Sequence, residues 1–192
     1  MPVTLMESTT SEALAGFTEN ESLYEIIDGQ RVELPPMSVY ASIISSRLGQ
    51  MLGGFATSNR LAQVAVETLF RLPLQKSPNR RPDVAVVSYE RWPIGRPIPF
   101  ADNAWDVVPD LTVEVVSPND LADEIMQKIV EYFQAGVRLV WVVYPQQRLV
   151  YVYESPTQVF VRTSTEELDG GPVLPGLRLP LAELFPEMAP PA

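Results

Sequence analysis

Cysteine and histidine are both absent from this 192-residue chain. Without cysteine there are no disulfides and no thiolate metal sites, a composition that fits a cytoplasmic protein. Without histidine, Ser-His-Asp catalysis, histidine general bases and His-rich zinc sites are excluded. Any general base or metal ligand must be Asp, Glu, Lys, Tyr, the backbone or water. Positive charge is scarce too: 14 Lys and Arg face 24 Asp and Glu, a net charge of −10. Counterion release needs clustered Lys and Arg, so loose phosphate-driven nucleic-acid binding is disfavoured, although a local basic patch remains open. Aromatics make up 9% of the chain, thin for the sugar-stacking surface of a glycosidase. No apolar run approaches the ~20 residues of a membrane-spanning helix. Met1 to Asn20 lacks the basic start and apolar block of a secretory signal.

What is present is globular in character. Hydrophobic residues are 46% and charged residues 20% of a chain long enough to bury a proper core. Residues 1 to about 20 are polar and read as a short helix or a loose arm. Two β-rich runs in Leu23 to Leu34 flank Asp28-Gly29, a strong hairpin signal. From Ser38, a candidate N-cap, Ile43, Ile44, Leu48, Met51 and Leu52 recur at helical spacing, and Gly53-Gly54 is expected to weaken or end that helix. Ala62 to Leu74 alternates as a strand, followed by a polar turn from Gln75 to Arg80.

Pro82 to Ser88 and Leu111 to Val116 are apolar runs of strand length, expected to be buried on both faces. Between them, the proline-rich stretch Tyr89 to Asp106 reads as a long surface loop. Asn119 or Asp120 is expected to cap the next helix, whose core stripe is Ile125, Ile129, Tyr132 and Phe133 and whose C-cap is Gly136. Val137 to Tyr144 forms a third buried strand, and Leu149 to Tyr153 returns beside it. One more strand and a closing hairpin follow from Val159. The pattern predicts a mixed α/β domain, with a right-handed parallel crossover from Leu111 to Tyr144.

Three side chains carry the chemistry. Glu114 sits mid-strand among Val113, Val115 and Val116, where a lone buried carboxylate is costly unless a cation pairs with it. Asp83 stands at a strand entrance and reads equally as an exposed end residue. Lys128 is read on its own as a solvated partner of Glu124 at i,i+4. Together they describe another arrangement: Glu114's strand feeds directly into the helix of Lys128, so both reach one end of the sheet. Paired carboxylates without histidine suit magnesium or manganese. A metal ion and a lysine are the parts phosphodiester hydrolysis needs. Glu67, on a preceding strand, is a further candidate carboxylate.

Several segments together resemble the Uma family of restriction-endonuclease-like proteins. They are Tyr24 to Gly29, Arg81 to Val87, Val113 to Asp120, Lys128, Ala135 to Val143, and the ending Leu168 to Gly171 with Val173 to Gly176. The resemblance covers roughly residues 17 to 186. It implies a PD-(D/E)XK nuclease with a restriction-endonuclease-like mixed-sheet core flanked by helices, preceded by the N-terminal β-hairpin. It implies one domain over residues 1–192, with residues 1–16 as a flexible arm. Pro82-Asp83 supplies the PD and Glu114 the second acid. Val116 stands where the superfamily usually has its lysine, and Lys128 takes over from the next helix. Glu67 matches an acid seen on the preceding strand. The chain departs from relatives at Tyr40 and Ala41, near a common histidine, and at Tyr144, where an Asp is frequent.

The leading expectation is a DNA endonuclease with catalytic residues Asp83, Glu114 and Lys128, using Mg2+ or Mn2+ held by Asp83 and Glu114, with Glu67 as an added ligand. The alternative is a catalytically silent nucleic-acid-binding or oligomeric interaction module on the same fold. A homodimer is expected, with Val140 to Val143 and Leu149 to Tyr153 as an interface candidate. The nuclease reading also predicts that Arg31, Lys76, Arg80, Arg81, Arg91 and Arg96 gather as a basic rim around Asp83.

Overall fold

The computed structural model describes residues 22–76 and 78–187. The expected arm over residues 1 to about 20 lies outside them. In chain order the elements are β1 (Tyr24–Ile27), β2 (Gln30–Glu33), α1 (Val39–Ser58), β3 (Ala62–Val66), β4 (Phe70–Arg71), β5 (Asn79–Arg80) and β6 (Val84–Ser88). Then come β7 (Leu111–Val115), α2 (Ala122–Ala135), β8 (Leu139–Tyr144), β9 (Leu149–Ser155), β10 (Gln158–Thr163), β11 (Glu167–Asp169), β12 (Arg178–Pro180) and α3 (Leu181–Leu184). Six strands form the central sheet in the order β10-β9-β8-β7-β6-β3. Only β7 and β8 run parallel, joined by α2, and the other pairings are antiparallel. A smaller sheet, β2-β1-β5-β4, stands beside it.

Alternation along the central strands splits the core into two layers. Val84, Val86, Leu111, Val113, Val115, Trp141 and Val143 pack with Ile44, Leu48 and Leu52 of α1. Ala85, Val87, Val140 and Val142 pack on the opposite face with Ile125, Ile129 and Tyr132 of α2. Glu114 lies between Val113 and Val115, so its side chain shares the α2 face. The β6–β7 register pairs Val84 with Val113. One step further along, Asp83 falls opposite Glu114, on the same face.

The hairpin, both long helices and the two buried central strands match expectation. Asp28 and Gly29 take positive φ of 51° and 78°, as a tight type I′ turn requires. Ser38 caps α1, its hydroxyl accepting from the Ala41 N–H at 3.2 Å. Gly136 closes α2 in the left-handed conformation.

Other expectations fail for identifiable reasons. Gly53-Gly54 does not end α1, which runs on to Ser58 because Ala56 still has core to bury. Asn119 and Asp120 do not cap α2: the N-cap is Leu121, and the Asp120 carboxylate turns back to accept from the Ser117 N–H at 2.7 Å. The strand expected over Ala62 to Leu74 breaks at Glu67, where φ is +46°, and the chain passes from one sheet to the other. The stretch read as a polar turn contains β5. The proline-rich loop is not purely superficial, since Trp92 and Trp105 are buried edge-to-face with each other, 5.2 Å between centroids. Val140 to Val143 cannot serve as a dimer interface. β8 is paired on both sides and these four side chains are 0% exposed within one chain.

Candidate active site

The carboxyl end of β7 opens into a cavity of 640 Å³, bounded by the hairpin, β5 and the residues leading into β6, the end of β7 and the first half of α2. Glu67, Asp83, Glu114 and Lys128 all line it. The three expected catalytic residues therefore share one cleft. Asp83 Oδ2 accepts from the Val115 N–H at 2.5 Å, which fixes the carboxylate across the two strands. Lys128 Nζ lies 3.0 Å from Glu114 Oε2. The Tyr132 hydroxyl, one helical turn further along α2, donates to Glu114 Oε1 at 2.6 Å. The Lys128–Glu124 surface pair read as an alternative does not form: the ammonium turns inward instead.

Three side chains at or behind this cleft, Glu25, Glu131 and Tyr132, are not announced as site residues by the sequence. Glu25 of β1 is buried, and its Oε1 lies 3.1 Å from Lys128 Nζ. Its Oε2 accepts from Arg80 at 2.8 Å, and its Oε1 also accepts from the Arg81 N–H at 2.9 Å. Arg80 in turn forks onto Glu131 at 2.6 and 3.0 Å, a bidentate pair. Tyr132 had been read only as core. The signal for Glu25 was present: it shares a strand face with apolar Leu23 and Ile27, so an acid sits where a core side chain is expected.

The charges are strongly perturbed. Burial and the neighbouring Glu114 push the Asp83 carboxyl up to about 8. Burial raises Glu114 above the ordinary carboxylate range, against the opposing pull of Lys128. The two carboxylates facing Lys128 hold its ammonium above the usual lysine range despite burial. Desolvation and Glu114 hold the Tyr132 phenol well above the usual tyrosine range.

A divalent cation fits these residues. Fully ionised, Asp83, Glu114, Glu25 and Glu131 outnumber Lys128 and Arg80, leaving negative charge in excess. Asp83 Oδ1 takes no hydrogen bond among the described residues, and each Glu114 oxygen accepts only one. The donors are all oxygen, the set hard cations prefer. Among the described residues no cluster of three or more acids stands close enough to hold a metal. Glu67 reaches the cavity wall without completing a triad.

The expected basic rim does not form. Of the six cations, only Arg80 and Arg81 line the cavity. Arg80 is committed to Glu25 and Glu131. Lys76 pairs with Asp28 at the hairpin turn, Arg91 with Asp110, and Arg96 stacks over Trp92. Arg31 stacks over Tyr24 with its guanidinium carbon 3.9 Å from the ring centroid.

A six-stranded mixed sheet flanked by helices, with acids converging at one end of its central strands and faced by a helix-borne lysine, defines an α/β fold of the restriction-endonuclease-like class. The crystal structure of a putative nuclease belonging to DUF820, from Anabaena variabilis ATCC 29413, has the same fold. It superposes with a TM-score of 0.75 at 22% identity, covering 88% of this chain and 92% of that one. The family described as Uma2, putative restriction endonuclease, matches residues 10–182, and this chain belongs to it. No functionally curated protein matches the chain. Among the described residues no helix is long and apolar enough to cross a membrane.

Proposed function

We propose that this protein is a divalent-metal-dependent endonuclease of the PD-(D/E)XK type that hydrolyses DNA phosphodiester bonds. The observation that carries the reading is the convergence of Asp83, Glu114 and Lys128 in one cleft, with Lys128 Nζ 3.0 Å from Glu114. Asp83 and Glu114 would hold Mg2+ or Mn2+, with Glu67 as a further acid at the same cavity wall. When bound, such a cation polarises a phosphoryl oxygen and acidifies its water. Lys128 orients the attacking water and balances the negative charge that develops on the phosphate. Tyr132 keeps Glu114 in place from inside the core. Family membership supports the reaction class. Because both strands of a duplex are cut most simply by two-fold-related sites, the working form is proposed to be a homodimer.

One observation favours a second reading, a catalytically silent nucleic-acid-binding or interaction module. The cations expected to contact a duplex are scattered or already paired, on a chain of net charge −10. Calorimetry with manganese on the wild type and Asp83→Ala, beside plasmid nicking, separates the two. Binding lost in the variant, together with metal-dependent nicking, supports the nuclease. No binding by the wild type leaves the silent module. Sedimentation at micromolar concentration tests the dimer, which a monomer would contradict.

A further inference from the structure

The hairpin of β1 and β2 lies largely on the surface. All four residues of β2 are exposed, and the only buried residue in either strand is a glutamate, Glu25, at 1% exposure. An apolar side chain would fasten a hairpin to a domain at less desolvation cost. The carboxylate must therefore be matched by what it meets, and it meets the site. We propose that Glu25 is a positioning residue of the candidate active site: its carboxylate, carried in by the hairpin, fixes the Lys128 ammonium in register with Glu114. This rests on the nuclease reading only for the chemistry that Lys128 performs.

The argument is geometric. A lysine ammonium has three N–H donors on a flexible four-carbon stem. One anchor, Glu114 Oε2 at 3.0 Å, leaves the ammonium free to swing about that contact. A second carboxylate, Glu25 Oε1 at 3.1 Å, pairs with the ammonium by charge from the hairpin side and limits the swing. Lys128 lines the cavity with its side chain 16% exposed, so the ammonium held between the two carboxylates still reaches a ligand in the cleft. Glu25 is itself held against reorientation. Its Oε1 accepts from the Arg81 N–H at 2.9 Å and its Oε2 from Arg80 at 2.8 Å. Arg80 is locked independently by its bidentate contact with Glu131, so the chain of contacts runs from the hairpin, through β5, to the helix that carries Lys128. A glutamate serving only to anchor the hairpin would be satisfied by Arg80 and the Arg81 N–H, without reaching Lys128.

The sequence contains only two lysines, Lys76 and Lys128, and that makes a direct test possible. Protein labelled with ε-15N lysine gives one ammonium signal from each. Lys76 is an exposed surface pair with Asp28 and serves as the internal reference. The expected result is a slowly exchanging Lys128 ammonium in the wild type. In Glu25→Gln its exchange should quicken by about tenfold or more, because one of the two carboxylates that hold it is neutralised, while Lys76 is unchanged. Glu25→Asp keeps the charge but withdraws it by one methylene, so it should give an intermediate rate and covers the case in which the Gln variant fails to fold. In the same samples manganese binding should survive, while the rate constant for DNA cleavage falls by about a hundredfold, the scale of a misplaced catalytic group. Lys128 exchange that is unaltered in both variants would overturn the proposal. A wild type that cuts no DNA would count against the nuclease reading alone, because the ammonium comparison needs no activity.

Discussion

Tyr132 donates its phenolic hydrogen to Glu114 Oε1 at 2.6 Å, from the inner face of α2 against the middle of the sheet. The contact ties a core aromatic to the candidate metal ligand, so the residue's packing and its polar role are separable. Tyr132→Phe keeps the ring and removes the donor. It should destabilise the protein by about 1.5–3 kcal/mol, the scale of a hydrogen bond to a charged group. Urea unfolding of the metal-free protein measures this, and a loss of a few tenths would show that Glu114 finds another donor.

Lys128 stands between two buried carboxylates, Glu25 and Glu114. Lys128→Met retains the stem and leaves Glu114 without its cation, while Glu25 keeps Arg80. Removing one partner from a buried ion pair costs about 3–5 kcal/mol. The variant should unfold at markedly lower denaturant at neutral pH and recover part of the loss in acid, where the carboxylates protonate. Equal losses at both pH values would contradict the electrostatic account.

The raised Asp83 carboxyl has a definite linkage sign. A carboxyl held near 8 in the folded protein, against an ordinary 3.8, binds its proton more tightly when folded. The stability this contributes is full below about pH 4 and is lost as pH rises towards about 8. Asp83→Asn cannot ionise. In metal-free protein its Tm should therefore gain on the wild type as pH rises through that window and stop gaining above it. Parallel Tm curves from acid to alkaline pH would refute this.

The same proton should be displaced by metal. Below pH 8, manganese would have to expel it from Asp83, so affinity should rise by about tenfold per pH unit for one proton released. Calorimetry in two buffers of different ionisation enthalpy counts that proton. A heat independent of buffer would mean that Asp83 is already ionised.

At Gly170 in the tail, a Cβ would lie 2.4 Å from the Leu174 carbonyl oxygen and 2.6 Å from the Leu174 Cβ. The obstacle is backbone and cannot swing aside. Gly170→Ala should lower stability by about 1–3 kcal/mol, as overpacking does. Thermal unfolding reads it, and an unchanged Tm would show that the turn relaxes.

Local chemistry made much of the fold legible. Asp28-Gly29 announces its turn, Gly136 its cap, and the runs beginning at Val84 and Leu111 their burial. Glu114 was legible as a charge with no business in a buried strand unless paired. The misses are non-local. Nothing in the residue type of Glu67 announces a positive φ, because such a conformation in a non-glycine residue is imposed by what surrounds it. β5 is two residues long and exists only because β1 and β4 flank it. Asp120 was a reasonable cap by type, but its carboxylate had a nearer donor at Ser117. Glu25 was only hinted at by its apolar face-mates Leu23 and Ile27, because alternation shows which residues share a face of a hairpin, not which face the domain covers.

The hairpin also bears on the order in which the molecule can assemble. It precedes β5 and α2 in the chain, and it carries a glutamate whose cations belong to those two elements. Until those elements are in place, burying Glu25 would mean burying a bare charge. β1 and β2 are thus among the last elements to settle although they precede β5 and α2, and a chain cut short before α2 has its acids but neither Lys128 nor a seat for the hairpin.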